Sequence, residues 1–284
     1  MSLRRRDALG LLAAGAATPA LAAPVRDPEL VALEARVGGR LGVSALDTGS
    51  GKRLRHRASE RFPMCSTFKL LAVAAILHRV DTDCEDLSRP VVVNKADVVG
   101  WAPVTSKHLA EKLPMQALCE AAIVWSDNGA ANLILNALGG PQGVTGYARS
   151  LGDKITRLDR RELALNEGRP GDIRDTTAPD ATVANLQKLF TGRALTSGSR
   201  EKLERWLVAD EQGKARIRAG TPADWRAGDK TGTGNNATND VAVLWPPGRP
   251  PILVAAYLHL AKAPIDDQQA ALAEIGRIVG RRFG

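Results

Sequence analysis

The chain has 284 residues, 44% of them hydrophobic and 25% charged, an ordinary globular composition that provides ample core and leaves no low-complexity tract after the first two dozen residues. The formal net charge of +8 comes from 39 Lys and Arg against 31 Asp and Glu. These are interspersed, as in Arg200-Glu201-Lys202-Leu203-Glu204-Arg205, with no basic stripe among aromatics, so no nucleic-acid partner is expected and the charge reads as solubility with mild attraction for anions.

Residues 1–22 read as an export signal. Arg4-Arg5-Arg6-Asp7 precedes a modestly apolar, Ala/Gly-rich stretch that closes on Ala20-Leu21-Ala22, a small-x-small cleavage pattern. Consecutive arginines ahead of such a stretch point to the twin-arginine route, and an ordinary secretory signal would also deliver the protein to the periplasm or the medium. The mature chain then starts near Ala23 with a charge of +6, since cleavage removes three positive charges and one negative. The apolar part falls short of a spanning helix, and no later segment is long and apolar enough to span.

After the signal, Leu30, Val31, Leu33 and Val37 at helical spacing predict a helix over 27–38, closed by Gly38-Gly39. Residues 41–46 and 53–57 flank Asp47-Thr48-Gly49-Ser50-Gly51-Lys52 as a β-hairpin. Arg61-Phe62-Pro63 discourages helix ahead of Ser66, and residues 70–77 then form a buried core helix. From 66 to about 209 the patterns are mostly helical, with apolar helices over 117–125 and 130–138 and an irregular segment over 159–175. Strands return at 230–234, 240–245 and 251–260, and an amphipathic helix spans 266–283. The expected architecture has two lobes, α/β and all-α, with an antiparallel sheet of about five strands flanked by helices and a helical lobe inserted. Residues 23–62 and 209–284 would make the α/β lobe. Residues 63–208 would make the helical lobe that carries Ser66 and Glu162.

The three cysteines, Cys65, Cys84 and Cys119, cannot all pair, and an exported chain permits a disulfide without the sequence choosing one. The four histidines, His56, His78, His108 and His259, show no metal-ligand spacing, so no metal or other cofactor is expected.

Chemistry is concentrated in short elements. Ser66-Thr67-Phe68-Lys69 sets a hydroxyl and an amine one turn apart at the start of an apolar helix, where unpaired N–H groups favour negative charge on a bound carbonyl. By itself the pattern is weak, because a chain of this length yields Ser-x-x-Lys about once by chance, and Ser199-Arg200-Glu201-Lys202 is a second copy in a charged helix. Ser126-Asp127-Asn128 is a polar turn between buried helices, in which Asp127 or Asn128 could act as an N-cap. Lys230-Thr231-Gly232-Thr233-Gly234 reads as a strand whose glycines let a ligand approach the backbone. Glu162-Leu163-Ala164-Leu165-Asn166 lies in the irregular segment.

Taken in order, Ser-x-x-Lys, Ser-Asp-Asn, Glu-x-x-Leu-Asn and Lys-Thr-Gly resemble the class A β-lactamases over essentially the whole mature chain. The resemblance implies the β-lactamase/transpeptidase-like fold and a serine acyl-enzyme mechanism for penicillin- and cephalosporin-type antibiotics, conferring resistance. It implies that Ser66 attacks the lactam carbonyl, with the backbone N–H groups of Ser66 and Thr233 as oxyanion hole. Ser126 would relay a proton to the leaving nitrogen with help from Lys230, and Asn128 would hold the side-chain amide. Glu162 and Asn166 would activate the hydrolytic water. The acylation base stays open between Lys69 and Glu162.

By the same resemblance, Lys230, Thr231, Gly232 and Thr233 would meet the substrate carboxylate. Arg216 would lie behind them, since Asn235-Asn236-Ala237-Thr238-Asn239 offers no arginine. Trp101 would wall the cleft mouth, and Arg160 and Asp175 would clamp the loop of Glu162. A small-molecule β-lactam is the expected partner, with no integral membrane segment in the mature chain and a monomeric state. Two departures are visible. Cys119 matches one half of a disulfide common in the family, but Val73 occupies the other position, so no such bridge is expected. Cys65 precedes the nucleophile as in some carbapenem-hydrolysing members, but Gly234 replaces their second Cys.

A penicillin-binding DD-peptidase shares the nucleophile, its lysine and Lys-Thr-Gly, but ordinarily lacks the Glu162–Asn166 element. A β-lactam sensor that acylates and stops would have no use for it either.

Overall fold

The computed structural model describes residues 27–284. The expected export signal over 1–22 lies outside the described residues. Helix α1, Pro28–Val37, begins where the Asp27 carboxylate accepts from the N–H groups of Glu29 and Leu30, and it ends at Gly38, whose φ of 62° suits glycine. Strands β1, Arg40–Asp47, and β2, Arg53–His56, form the hairpin. After the two-residue strand β3, Phe62–Pro63, a 3₁₀ turn over Cys65–Thr67 leads into α2, Phe68–Asp81. Next come β4, Pro90–Val92, β5, Lys112–Pro114, α3, Met115–Val124, α4, Asn128–Ala137, and α5, Pro141–Ser150. Strand β6, Thr176–Thr177, precedes α6, Pro179–Phe190, α7, Ser197–Val208, and the short α8, Ile217–Gly220. The chain closes with β7, Arg226–Gly234, β8, Ala237–Trp245, β9, Ile252–His259, and α9, Ile265–Phe283.

Both ends of the chain build one antiparallel sheet, in the order β2-β1-β9-β8-β7. Its period of two divides the core. Val241 and Val243 of β8, with Leu253, Ala255 and Tyr257 of β9, face the helical layer of α2, α3, α4 and α6. Ala242 and Leu244, with Ile252, Val254, Ala256 and Leu258, face α1 and α9. A sheet covered on both faces reads as near-continuous apolar sequence, and every residue of β9 is buried. Helix α6 is tied to this sheet by the Ser44 hydroxyl donating to Asp180 at 2.7 Å and by the Thr182–Tyr257 hydroxyl contact at 2.9 Å.

The middle of the chain holds more strand than its helical patterning suggested. Strand β3 pairs with β6, and β4 pairs with β5. These pairs are too short to show a period of two, which is why the sequence hides them. Their effect is local: the first ties the segment before Ser66 to the chain just after Asp175. Among the described residues no helix is long and apolar enough to cross a membrane.

Helix α2 is buried on all sides from Phe68 to Leu77, with Ile76 at 0% exposure. Ile76→Ala should lower stability by about 2–5 kcal/mol in urea unfolding. Val31→Ala, at a position 41% exposed, should stay within about 0.5 kcal/mol of the parent.

Candidate active site

Ser66 occupies the 3₁₀ turn at the head of α2, just after Cys65, which takes a φ of 46°. Lys69, one turn on, is fully buried. Its Nζ donates to Ser126 O at 2.8 Å and Asn128 Oδ1 at 2.6 Å, and it pairs with Glu162 Oε1 at 3.1 Å; Ser126 Oγ lies at 3.4 Å. Three close acceptors match the three donors of an ammonium. Burial pulls the Lys69 pKa below the ordinary lysine value, and the Glu162 carboxylate opposes that pull. Ser66 Oγ donates to Glu162 Oε1 at 3.4 Å, and Asn166 Nδ2 donates to Glu162 Oε2 at 2.6 Å. Ser-x-x-Lys, Ser-Asp-Asn and Glu-x-x-Leu-Asn, distant in sequence, thus meet around one carboxylate and one amine.

Two buried acids hold the loops that bring them there. The Asp127 carboxylate caps α4 through Ala130 N at 2.8 Å and also accepts from Val104 N, Thr105 N and the Thr105 hydroxyl at 2.7–2.9 Å. It therefore fastens the Trp101 segment to the Ser126 turn. The N-cap is Asp127, which leaves the Asn128 side chain free for Lys69. At the base of the irregular segment, Asp175 accepts from Asp159 N at 2.7 Å, Arg160 N at 2.9 Å and Arg160 Nε at 2.6 Å. Its carbonyl receives Met64 N at 2.9 Å, so the same clamp reaches the turn of Ser66.

Strand β7 forms the opposite wall. Gly232 is required where the strand passes the turn of Ser66, because a Cβ there would come within 2.7 Å of Met64 O. The Lys230 amine is fully buried and donates to Thr231 O at 3.2 Å. Burial pushes its pKa down to about 8, with Asp210 opposing and Lys69 adding repulsion. Arg216 is buried, not a surface arginine. Its guanidinium donates to Thr233 Oγ1 at 2.8 Å, Asn239 O at 2.7 Å and Gly232 O at 3.2 Å. Trp101 is 57% exposed at the cleft mouth, with its indole N–H on Trp125 O at 2.8 Å. The resulting cleft measures about 700 Å³ and is lined by Ser66, Ser126, Asn128, Thr231, Thr233 and Arg216, among others.

The second Ser-x-x-Lys is structural. The Ser199 hydroxyl donates to Asp81 at 2.6 Å and helps fix the start of α7. All three cysteines are free, with Cys65 and Cys119 buried and Cys84 exposed. Burial, reinforced by Glu162, pushes the Cys65 thiol up to about 12, which leaves it inert beside Ser66. A Cβ at Gly234 would lie 2.7 Å from Cys65 Sγ, so the glycine lets β7 pass this close to the thiol.

Sequence reasoning missed Asn132, whose side-chain oxygen accepts Glu162 N at 3.2 Å while its amide donates to Asp97 O at 3.1 Å. Its position one turn after Asn128 on a buried helix face was the available signal. It also missed the buried acids Asp210 after α7, Asp229 in β7 and Asp240 in β8, which a single sequence cannot tell from surface acids.

The sequence profile of the Beta-lactamase enzyme family matches residues 26–283. The chain is 44% identical over 284 residues to "Beta-lactamase L2" of Stenotrophomonas maltophilia, covering 98% of this chain and 94% of that protein. It is 43% identical over 290 residues to "Carbapenem-hydrolyzing beta-lactamase KPC" of Klebsiella oxytoca, covering 100% and 99%. The solved structure of an ancestral (GNCA) class A β-lactamase superposes with a TM-score of 0.88 at 54% identity, covering 90% of this chain and 98% of that one. With profile, relatives and fold in agreement over the length of the described residues, the chain belongs to the class A serine β-lactamases and hydrolyses the β-lactam ring through a serine acyl-enzyme, the chemistry of antibiotic resistance.

Proposed function

We propose the following division of labour among the residues of the cleft. Ser66 is the nucleophile, and the carbonyl oxygen it attacks is received by the N–H groups of Ser66 and Thr233. Glu162 accepts the Ser66 proton, directly or through a water, and later activates the water that releases the acyl group, with Asn166 orienting its carboxylate. The single observation that carries this reading is the Ser66 hydroxyl on Glu162 Oε1, with Lys69 Nζ on the same oxygen. Lys69 serves as the buried cation that fixes Glu162 and Ser126, because its three acceptors suit an ammonium better than a free base. Ser126 passes a proton to the departing nitrogen, and Asn128 receives the substrate's side-chain amide. Lys230, Thr231 and Thr233 take the substrate carboxylate beside the backbone of Gly232, with Arg216 holding the Thr233 hydroxyl, and Trp101 walls the mouth.

The enzyme works as a monomer exported through a twin-arginine signal over residues 1–22, for which the support is Arg4-Arg5-Arg6 ahead of a short apolar stretch.

A chromogenic cephalosporin tests the assignment. Wild type should turn over, Ser66→Ala should show no acylation, and Glu162→Ala should accumulate an acyl-enzyme visible by mass spectrometry. A single stoichiometric burst from wild type would overturn the role given to Glu162. Arg160→Ala should loosen the loop of Glu162 and lower kcat for deacylation by roughly 10- to 100-fold, with a much smaller change in the rate of acylation measured by stopped flow. The pH profile tests Lys230. A carboxylate needs the ammonium form, which is lost as pH rises through about 8, so kcat/KM should fall above that pH with KM rising first.

A further inference from the structure

The irregular segment that carries Glu162 is clamped at its base by Asp175, but its returning limb has a separate anchor. Between Leu165 and Asp175 one residue is buried, Gly168. It takes a φ of 55°, and a Cβ there would sit 3.4 Å from Pro63 Cγ and 3.9 Å from His259 Nε2. Its backbone therefore lies against both the segment ahead of Ser66 and the end of β9. A buried carbonyl needs a donor. Among the described residues, the donor to Gly168 O is His259 Nε2, at 2.9 Å.

His259 closes β9, in register with Arg40 of β1 on one side and Ala237 of β8 on the other. The period of two puts its side chain on the face of Leu253, Ala255 and Tyr257, toward the helical layer. The residue is 4% exposed. Because a carbonyl can only accept, the ring carries its proton on Nε2, and Nδ1 has no partner among the described residues. Burial holds the His259 pKa below the ordinary histidine value, the bond to Gly168 opposes that pull and Arg40 adds to it, so at neutral pH the donor is a neutral imidazole.

Two residues before Gly168, Asn166 ties the limb to the chemistry. Its Nδ2 donates to Glu162 Oε2 at 2.6 Å, and its carbonyl accepts Asn235 N at 3.2 Å from the turn after β7. Glu162 Oε1, which meets Ser66, is held independently by Lys69. A loosened limb would thus leave the Ser66 contact in place and disturb the Glu162–Asn166 pair. We propose that His259 is a positioning residue for deacylation, docking Gly168 on the end of β9 so that Asn166 stays against the Glu162 carboxylate. The inference rests on the water-activating role given to Glu162 and Asn166.

The test compares His259→Gln and His259→Asn in the whole enzyme, with acylation and deacylation by a penicillin resolved by stopped flow. A glutamine amide nitrogen falls near the position of Nε2 and can still reach Gly168 O, whereas an asparagine amide nitrogen falls near Nδ1 and cannot. Deacylation should slow by roughly 10-fold in His259→Asn, the scale of one neutral hydrogen bond, and stay within about 3-fold of wild type in His259→Gln. Acylation should change by less than about 2-fold in either. In a Glu162→Ala background the two substitutions should give equal residual deacylation, because the carboxylate they position is gone. Equal deacylation by His259→Asn and His259→Gln, a matching fall in acylation, or a full additional loss in the Glu162→Ala background would overturn the inference. Wild-type deacylation by Glu162→Ala alone would instead remove the role given to Glu162, a separate failure. If His259→Asn does not fold, nitrogen NMR of wild type decides: the His259 ring should be the Nε2–H tautomer with its proton protected from exchange, and an Nδ1–H tautomer or an unprotected proton counts against the docking.

Discussion

A lysine amine with no exposed surface sits at the meeting point of three separate chain segments, and the arrangement of the cleft follows from the need to satisfy it. Lys69 comes from the head of α2, its acceptors Ser126 O and Asn128 Oδ1 from the turn between α3 and α4, and Glu162 from the irregular segment after α5. Removing one partner from such a buried pair typically costs about 3–5 kcal/mol, because the other charge is stranded away from water. The three segments are therefore coupled. None can shift without leaving a charge or an amide unsatisfied, and the hydroxyl of Ser66 is held where the Glu162 carboxylate can receive it.

That junction is held from outside by two further buried carboxylates. Asp127 collects four donors from α4 and from the segment after Trp101, and Asp175 collects three from residues 159 and 160 while its backbone carbonyl takes Met64 N. A single acid in each case replaces regular secondary structure as the fastening of a loop. This explains how an irregular stretch with one three-residue 3₁₀ turn can present Glu162 and Asn166 in a fixed relation. The sheet supplies the opposite wall because β7 is an edge strand. One side of β7 pairs with β8, and the strand passes close to the turn of Ser66 where only Gly232 allows it.

The fold was largely legible residue by residue. The hairpin, the apolar run of β9 and the terminal helix follow from patterning that the sheet then uses on both faces, so their expected and observed limits differ by only a residue or two. The short pairs β3–β6 and β4–β5 were not legible, since two or three residues carry no period. Ser199 and Ser66 carry the same local pattern. What separates them is that one hydroxyl meets Asp81 at a helix start and the other meets Glu162 in the cleft, a difference of neighbours and not of sequence.

By itself the sequence determined the elements, the alternation that sandwiches the sheet between two helical layers, and the set of chemical groups available to the cleft, because these depend on side-chain type and short-range spacing. Tertiary structure alone decided which of those groups become buried and which charges must answer one another. Asp127 instead of Asn128 became the cap, Arg216 became an internal ligand of Thr233, and Asp210, Asp229 and Asp240 became buried acids. The physical reason is desolvation: an acid or a base has the same sequence signature in water and in the core, and only folding removes the water that makes its partners matter.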